Sequence, residues 1–358
     1  MDRKKGTMDH TLLILVVILI VFGLTVLLST SAYNGQVKFS DPASYFKKQF
    51  FATILGVVAM YMVAEMDYHE LEKWAGAAYL LSLVLSTLVL FVGASINGSR
   101  RWLSLGPLSF QPSEFAKPAV ILFLARTISR REKKKKGILE LFRTLVLILP
   151  IVGLVGTSNL STAVIILGIA VILVFVSSPF YLPFVGLFGA GAGFMGIFLG
   201  LESYRLERIA IWRDPESYEK GFQTIQGLYA IGSGGLFGTG LGGSIQKLGF
   251  VPEAQNDMIF SIICEELGLV GAGILLLLFL VLIWRFFLVS VHAPDLLGSL
   301  IAAGVMGHIS IQVILNVAVV TNTIPNTGIT LPFVSYGGTS ILFLLAEMGL
   351  VLGISRKC

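Results

Sequence analysis

An all-α, polytopic membrane protein with about ten transmembrane helices and one long extracytoplasmic loop is the architecture this sequence predicts. Two observations carry it. Of 358 residues, 55% are apolar and only 13% charged, about half the charged share of a soluble domain. The apolar residues also fall into runs of spanning length, about 20 residues each, and the mean hydropathy is +0.85. A water-soluble globule of this size needs more polar surface, and the same numbers exclude intrinsic disorder. No second domain is evident, so 1–358 reads as one integral membrane unit.

The runs place spans at 11–29, 49–66, 75–94, 113–129, 144–158, 160–177, 180–200, 257–284, 296–321 and 330–354. The first is long and lacks a small-residue cleavage site, so it reads as a span and not as a signal. Those at 113–129 and 144–158 are less apolar or shorter than the rest. The segment 201–256 is hydrophilic and too long for a plain connector. Within it, 218–231 reads as an interfacial helix with Phe222, Ile225, Leu228 and Tyr229 on one face. The nine glycines between Gly227 and Gly249 suggest a mobile loop lying on the membrane.

Basic residues set the orientation. Arg3, Lys4 and Lys5 precede the first span, and Ser129-Arg130-Arg131-Glu132-Lys133-Lys134-Lys135-Lys136 follows the fourth. Both read as cytoplasmic retention signals facing anionic lipid, and nucleic-acid binding is a poor alternative. Ten spans then leave both termini cytoplasmic, in agreement with Arg356 and Lys357, and turn 201–256 outward. The two cysteines, Cys264 and Cys358, form no CxxC or Cys/His cluster, so neither zinc nor a disulfide framework is expected. Gly238-Thr239-Gly240-Leu241-Gly242-Gly243 fits a dinucleotide fingerprint but has no βαβ unit around it. No Walker A, G-x-S-x-G or H-E-x-x-H pattern occurs.

Several polar groups stand where their chemistry matters. On the outward side lie Arg100, Arg101, Arg205, Arg208, Arg213, Lys220 and Lys247. They either pair with Glu202, Glu207, Asp214, Glu216 and Glu219 or form a site for an anion such as a lipid-linked phosphate, which arginine binds through paired donors. At membrane depth an ionisable group costs several kcal/mol unless satisfied. Ser113, Glu114 and Lys117 share a face at the start of the fourth span, as a self-neutralised pair or as a lysine poised beside an anion. Asp257, at the head of the eighth span, is a cap or a general base whose pKa burial has raised. Ser261 and Glu265 follow it at spacings of four, with Glu265 expected to face the interior beside a basic residue. His308, Gln312 and Asn316 form a polar stripe that either bonds between helices or lines a cavity. Asn159, Ser161 and Thr162 read as caps between two spans.

Taken in order, Asn97-Gly98-Ser99-Arg100-Arg101-Trp102, Phe110-Gln111-Pro112-Ser113-Glu114-Phe115-Ala116-Lys117, Gln246-Lys247-Leu248, Pro252-Glu253 through Asp257, Glu265-Glu266-Leu267-Gly268 and Leu331-Pro332-Phe333-Val334-Ser335-Tyr336-Gly337-Gly338-Thr339-Ser340 resemble the SEDS family (shape, elongation, division and sporulation). The resemblance runs over essentially the whole chain. Asn316 to Thr321 with Thr330 to Phe333 looks closer to the FtsW and SpoVE branch than to RodA. Two places depart from the family. Gln255-Asn256 stands where His-Thr is usual, and Asn159-Leu160-Ser161-Thr162 where Asp-Leu-Gly-Thr is usual.

The resemblance implies a peptidoglycan glycosyltransferase of the bacterial plasma membrane that polymerises lipid II into glycan strands at the outer face. It implies a class B penicillin-binding protein, a transpeptidase, as partner, alongside other divisome or elongation membrane proteins. Its essential carboxylate maps onto Asp257. On this reading Arg100, Arg101, Lys117 and Lys247 stabilise the departing diphosphate, with Glu114, Ser113, Glu265 and Ser335 in support. A divalent cation, Mg or Mn, could share that task, although no metal-ligand signature is present. A lipid II flippase and a non-enzymatic scaffold for the transpeptidase are the alternatives.

Overall fold

The computed structural model describes residues 7–96, 99–105, 108–131, 143–178 and 203–358. The expected span at 180–200 and most of the basic block after the fourth span lie outside the described residues. The helices are α1 (His10–Phe39), α2 (Ser44–Glu65), α3 (Tyr68–Val92), α4 (Pro112–Arg131), α5 (Leu149–Ser158), α6 (Leu160–Ser177), α7 (Ser203–Arg213), α8 (Phe222–Ser233), α9 (Ile259–His292), α10 (Leu296–Val320) and α11 (Gly338–Ser355). Seven of them, α1, α2, α3, α6, α9, α10 and α11, are long and apolar enough to cross a membrane. The chain is a multi-pass, all-α membrane protein.

Helix α4 falls outside that set because of its charges, and its position explains them. Ala116, Val120, Ile121 and Leu124 are buried, as are Glu114 and Lys117, among α3, α6 and α10. It is an interior helix with little lipid to face. Between α3 and α4 the chain forms a small antiparallel sheet, β1 (Ala94–Ile96), β2 (Ser99–Leu105) and β3 (Leu108–Phe110), in the order β1-β2-β3. The sequence reading held only a short loop there.

Two expected spans have different limits. The last helix begins at Gly338, not at 330. Residues 330–337 are non-helical and pack inside the protein, where irregular backbone is tolerated at membrane depth. The Phe333 carbonyl presses so closely on α1 that a Cβ at Gly23 would clash with it. Helix α9 runs to His292 and breaks at Gly268 (φ 67°, ψ −171°). Leu269–His292 alone is roughly 36 Å long at ~1.5 Å per residue, enough for a bilayer core of about 30 Å. The roughly two and a half turns ahead of the break, Ile259 to Leu267, at about 3.6 residues per turn, are therefore available to carry the site.

The glycine-rich run that suggested a mobile loop is in fact tied into that break. Thr239 and Gly240 donate backbone N–H bonds to the Glu265 and Glu266 carbonyls at 2.9 and 3.0 Å. Leu269 and Val270 donate to the Gly235 and Leu236 carbonyls at 2.9 and 3.0 Å. The backbone groups freed by the break thus find partners. A Cβ at Gly268 would lie 2.5 Å from the Leu236 carbonyl oxygen, and its φ suits only glycine. Gly268→Ala is expected to cost about 2 kcal/mol or more, read as a lower thermal unfolding temperature in detergent. An unchanged temperature would mean that the loop is not docked there. Beside it, α8 packs Thr224, Gly227 and Ala230 inward and leaves Phe222 and Tyr229 exposed, as an interfacial helix requires.

Candidate functional site

Opposite ends of the bundle differ. At one end, ion pairs knit helix termini together: Asp9 with Arg285, Asp67 with Lys357 and Glu65 with Arg356, each at 2.6 Å. At the other end lie the C-terminal turns of α1, α3, α5 and α10 and the starts of α4, α6, α9 and α11. There the sequence-expected site residues gather.

Asp257 sits in the turn just ahead of α9, outside the span. Its residue is 9% exposed. Among the described residues no side chain donates a hydrogen bond to its carboxylate. Burial, with the nearby Glu253 charge adding and Arg208 opposing, pushes its pKa up to about 6. Backbone contacts fix its place. The Asn316 amide donates both to the Asp257 carbonyl at 2.9 Å and to the Ile329 carbonyl at 2.7 Å. The 321–330 loop beyond α10 is held in turn by α7, through Trp212 Nε1 on the Asn322 carbonyl and Arg208 Nη1 on the Asn326 carbonyl, both at 2.9 Å. Ser161 holds the Thr327 carbonyl at 2.8 Å.

The next residue along that loop joins Asp257 to the second cluster. Gln312 donates to the Thr330 carbonyl at 3.0 Å and accepts from Lys117 Nζ at 3.3 Å. Lys117, 2% exposed, pairs with Glu114 at 3.0 Å. His308 meets Gln312 at 2.8 Å and Glu347 at 2.7 Å. Of the two readings of the polar stripe of α10, His308 and Gln312 follow interhelical hydrogen bonding, while Asn316 holds loop carbonyls. Ser113 is buried and accepts from Gln111 at 3.1 Å.

The other expected anion ligands are engaged elsewhere. Arg100 caps the end of α3 through the Leu90 and Phe91 carbonyls at 3.1 and 3.2 Å, and Arg101 Nε donates to the Ser158 carbonyl at 2.7 Å. Cations at helix C-termini are favourable in themselves. Lys247 is buried against Glu266 at 2.6 Å and Ser29 at 2.8 Å. Among the described residues Glu265 has no basic partner, contrary to the sequence expectation. It accepts from the Ser244 hydroxyl and from the backbone N–H groups of Ile245 at 3.0 Å and Gln246 at 3.4 Å. An anion needs only donors, and a turn supplies them without a countercharge. Ser335 accepts from the Leu331 N–H at 2.8 Å, within its own turn.

The sequence reading missed the part played by α1. Its last turns reach the Asp257 loop through Ser29 on Glu266 at 3.0 Å, Asn34 on Gln255 at 2.8 Å and Lys38 on Glu253 at 3.3 Å. Spacings of five and four from Ser29 through Asn34 to Lys38 were the available signal. The two departures from the family pattern serve structure. Asn159 caps α6 by accepting from the Thr162 N–H at 3.2 Å. Gln255 is fully buried, and its carbonyl accepts from Tyr336 at 2.9 Å.

Known proteins resemble the whole of this chain. A sequence model of the FtsW, RodA and SpoVE group, described as "Cell cycle protein", matches residues 9–358. Stage V sporulation protein E of Bacillus subtilis (strain 168) is 41% identical, over 99% of this chain and 99% of its own. A protein named probable peptidoglycan glycosyltransferase FtsW, from Geobacter sp. (strain M18), is 33% identical over 100% and 99%. Among solved structures, a chain of a peptidoglycan synthase complex, described as coordinating polymerization and crosslinking, superposes with a TM-score of 0.83 at 32% identity, covering 98% of each chain. The rod shape determining protein RodA of Thermus thermophilus gives 0.73 at 31%, covering 98% and 97%.

Proposed function

This chain belongs to the FtsW, RodA and SpoVE family of cell cycle proteins, and from that premise we propose that it is a peptidoglycan glycosyltransferase that polymerises lipid II. The observation that carries the mechanism is the Asp257 carboxylate. It is buried, receives no side-chain donor among the described residues, and has a pKa of about 6. A carboxylate with those properties is a general base at neutral pH.

Two lipid-linked disaccharides meet at the Asp257 end of the bundle. The acceptor sugar's hydroxyl oxygen attacks the donor's anomeric carbon. Asp257 takes the hydroxyl proton, the anomeric C–O bond to phosphate breaks, and polyprenyl diphosphate leaves with the bonding electrons. One displacement inverts the centre, so an α-linked donor yields a β-linked strand. Arg208, whose charge reaches Asp257, is our first candidate to stabilise the departing diphosphate, with Arg100 and Arg101 nearby on the same end. Lys117 and Lys247 are committed to Glu114 and Glu266, and we assign them to holding the site's shape. Among the described residues no three His, Cys, Asp or Glu side chains gather as a metal site. A magnesium or manganese ion would take its ligands mainly from the diphosphate.

The basic residues at the other end favour a cytoplasmic position for both termini, with the Asp257 end at the outer face of the bacterial plasma membrane. A class B penicillin-binding protein is the partner we propose, with other divisome or elongation proteins, since the structural relative works in a peptidoglycan synthase complex. Incubation of the purified protein with lipid II, alone and with such a partner, tests the reading. Glycan strands are expected. Lipid II crossing a vesicle bilayer without polymer would point instead to a flippase, and neither outcome to a scaffold.

A further inference from the structure

We propose that His308 of α10 and Glu347 of α11 hold one proton between them inside the helix bundle, and that this proton makes them, with Gln312, positioning residues for the Lys117–Glu114 pair. The positioning half rests on the glycosyltransferase reading. The proton itself can be tested without turnover.

The argument turns on the Gln312 side chain. Its Oε1 accepts from Lys117 Nζ at 3.3 Å and faces His308 Nε2 at 2.8 Å. Its Nε2 donates to the Thr330 carbonyl at 3.0 Å and lies 3.4 Å from the Thr330 hydroxyl. Turning the amide over would set N–H groups against the ammonium and one carbonyl oxygen against another. The network therefore allows a single amide orientation. An acceptor facing His308 Nε2 requires a hydrogen on that nitrogen.

The other ring nitrogen closes the count. His308 Nδ1 lies 2.7 Å from Glu347 Oε2, a separation that also needs a hydrogen between the atoms. It resides on Nδ1, giving imidazolium and carboxylate, or on Oε2, giving neutral imidazole and carboxylic acid. Both forms contain the same protons and carry no net charge. A neutral histidine beside an ionised glutamate has one proton fewer and leaves a negative charge in the interior, where His308 is 1% and Glu347 0% exposed. Glu347 Oε1 has no hydrogen-bond partner among the described residues, which favours the acid form, because an ionised oxygen would lie there undonated.

The surroundings supply no other proton account. From α4 the facing charges are Glu114 and Lys117, which cancel, and Ser340 of α11 also bonds Glu114. Helix α6 meets α10 through Ile172 against Gly307 and Ile311 against Gly168. Along α2, packed against α11, the buried face from Gln49 through Thr53, Gly56 and Met60 to Ala64 carries no ionisable side chain. On α9 the buried Glu265 and Glu266 ahead of the break are held by the Ser244 turn and by Lys247, and beyond the break its buried face carries no ionisable side chain. With the proton present, every donor around Gln312 Oε1 has an acceptor, and the Lys117 ammonium is held on the side of the bundle that carries Thr330. Without it, the His308 bond to Gln312 or to Glu347 is lost.

The test begins with infrared and 15N-histidine magnetic resonance spectra of the full-length protein in lipid, from pH 6 to pH 8. A protonated carboxyl band or an imidazolium signal that persists across that range, and is absent from Glu347→Gln, is the expected result. A neutral imidazole with an ionised Glu347 would overturn the proposal. For positioning, Glu347→Ala is expected to lower kcat at least about tenfold. Glu347→Gln, whose amide can donate to a neutral ring, should restore it. Folded Glu347→Gln as impaired as the alanine variant would overturn the positioning role. Should Glu347→Ala not fold, a wild-type pH–rate profile with no ionisation beyond that of Asp257, matched by Glu347→Gln, is the expected substitute. An added ionisation that Glu347→Gln removes would overturn the shared, non-exchanging proton.

Discussion

Asp257→Asn is expected to lower lipid II polymerisation by at least about a hundredfold, in the range that removal of a general base produces, while the protein folds normally. Folding should survive because what fixes the loop is the Asp257 backbone carbonyl, held by Asn316, and the donor that reaches the side chain, its own backbone N–H, is accepted equally by an amide oxygen. The wild type should also show a matching pH dependence. The base acts only when deprotonated, and its pKa is about 6. Activity therefore rises as pH increases through about 6 and falls below it. Glu253 adds to that pKa through its charge and Arg208 opposes it. Glu253→Gln should then move the acid limb to lower pH, and Arg208→Gln to higher pH. Polymer made normally by Asp257→Asn, or an acid limb indifferent to both neighbours, would remove Asp257 from the role of base.

Much of this site was legible in the sequence, and the part that was not has a common cause. Composition and run length locate helices because burial in lipid demands continuous apolar stretches, and α6 falls on its expected limits, 160–177. The stripe His308, Gln312, Asn316 could be read because helical periodicity puts it on one face. Periodicity says nothing about which side chain across the gap satisfies a charge. Hence Lys247 looked like a phosphate ligand until Glu266 was seen beside it, and Glu265 was assigned a cation when a turn of backbone N–H groups serves. The apolar character of residues 330–337 reads as helix, yet their backbone is satisfied in part by Gln312 on the Thr330 carbonyl, by Gln49 on the Gly337 N–H and, within the turn itself, by Ser335. Gln312 and Gln49 stand 18 and 288 residues away from the groups they satisfy, beyond the reach of any local pattern. The small sheet at 94–110 is too short for an alternating pattern to register.

The pair Lys247–Glu266 allows a shape-holding role to be separated from substrate binding. Its atoms are 2.6 Å apart, with side chains 9% and 1% exposed. Removing one partner leaves the other charged and buried, which typically costs 3–5 kcal/mol, roughly. Glu266→Leu is therefore expected to lower the unfolding temperature more than any exposed substitution, and Lys247→Met to do nearly the same. Replacing both leaves no orphan charge, and a hydrophobic pair of similar volume is often as stable as the ion pair. The double variant Lys247→Met/Glu266→Leu should thus recover most of the stability lost by either single change. Its activity then decides the role of the lysine. If Lys247 only pins the loop that carries Asp257, the stable double variant polymerises lipid II within several-fold of wild type, since the Glu265 turn, Asn34 and Asn316 still hold the loop. If Lys247 binds the diphosphate, the double variant folds and stays inactive. A double variant whose loss equals the sum of the two single losses would mean that the two charges are not coupled, and the assignment of Lys247 to the loop would fall with it.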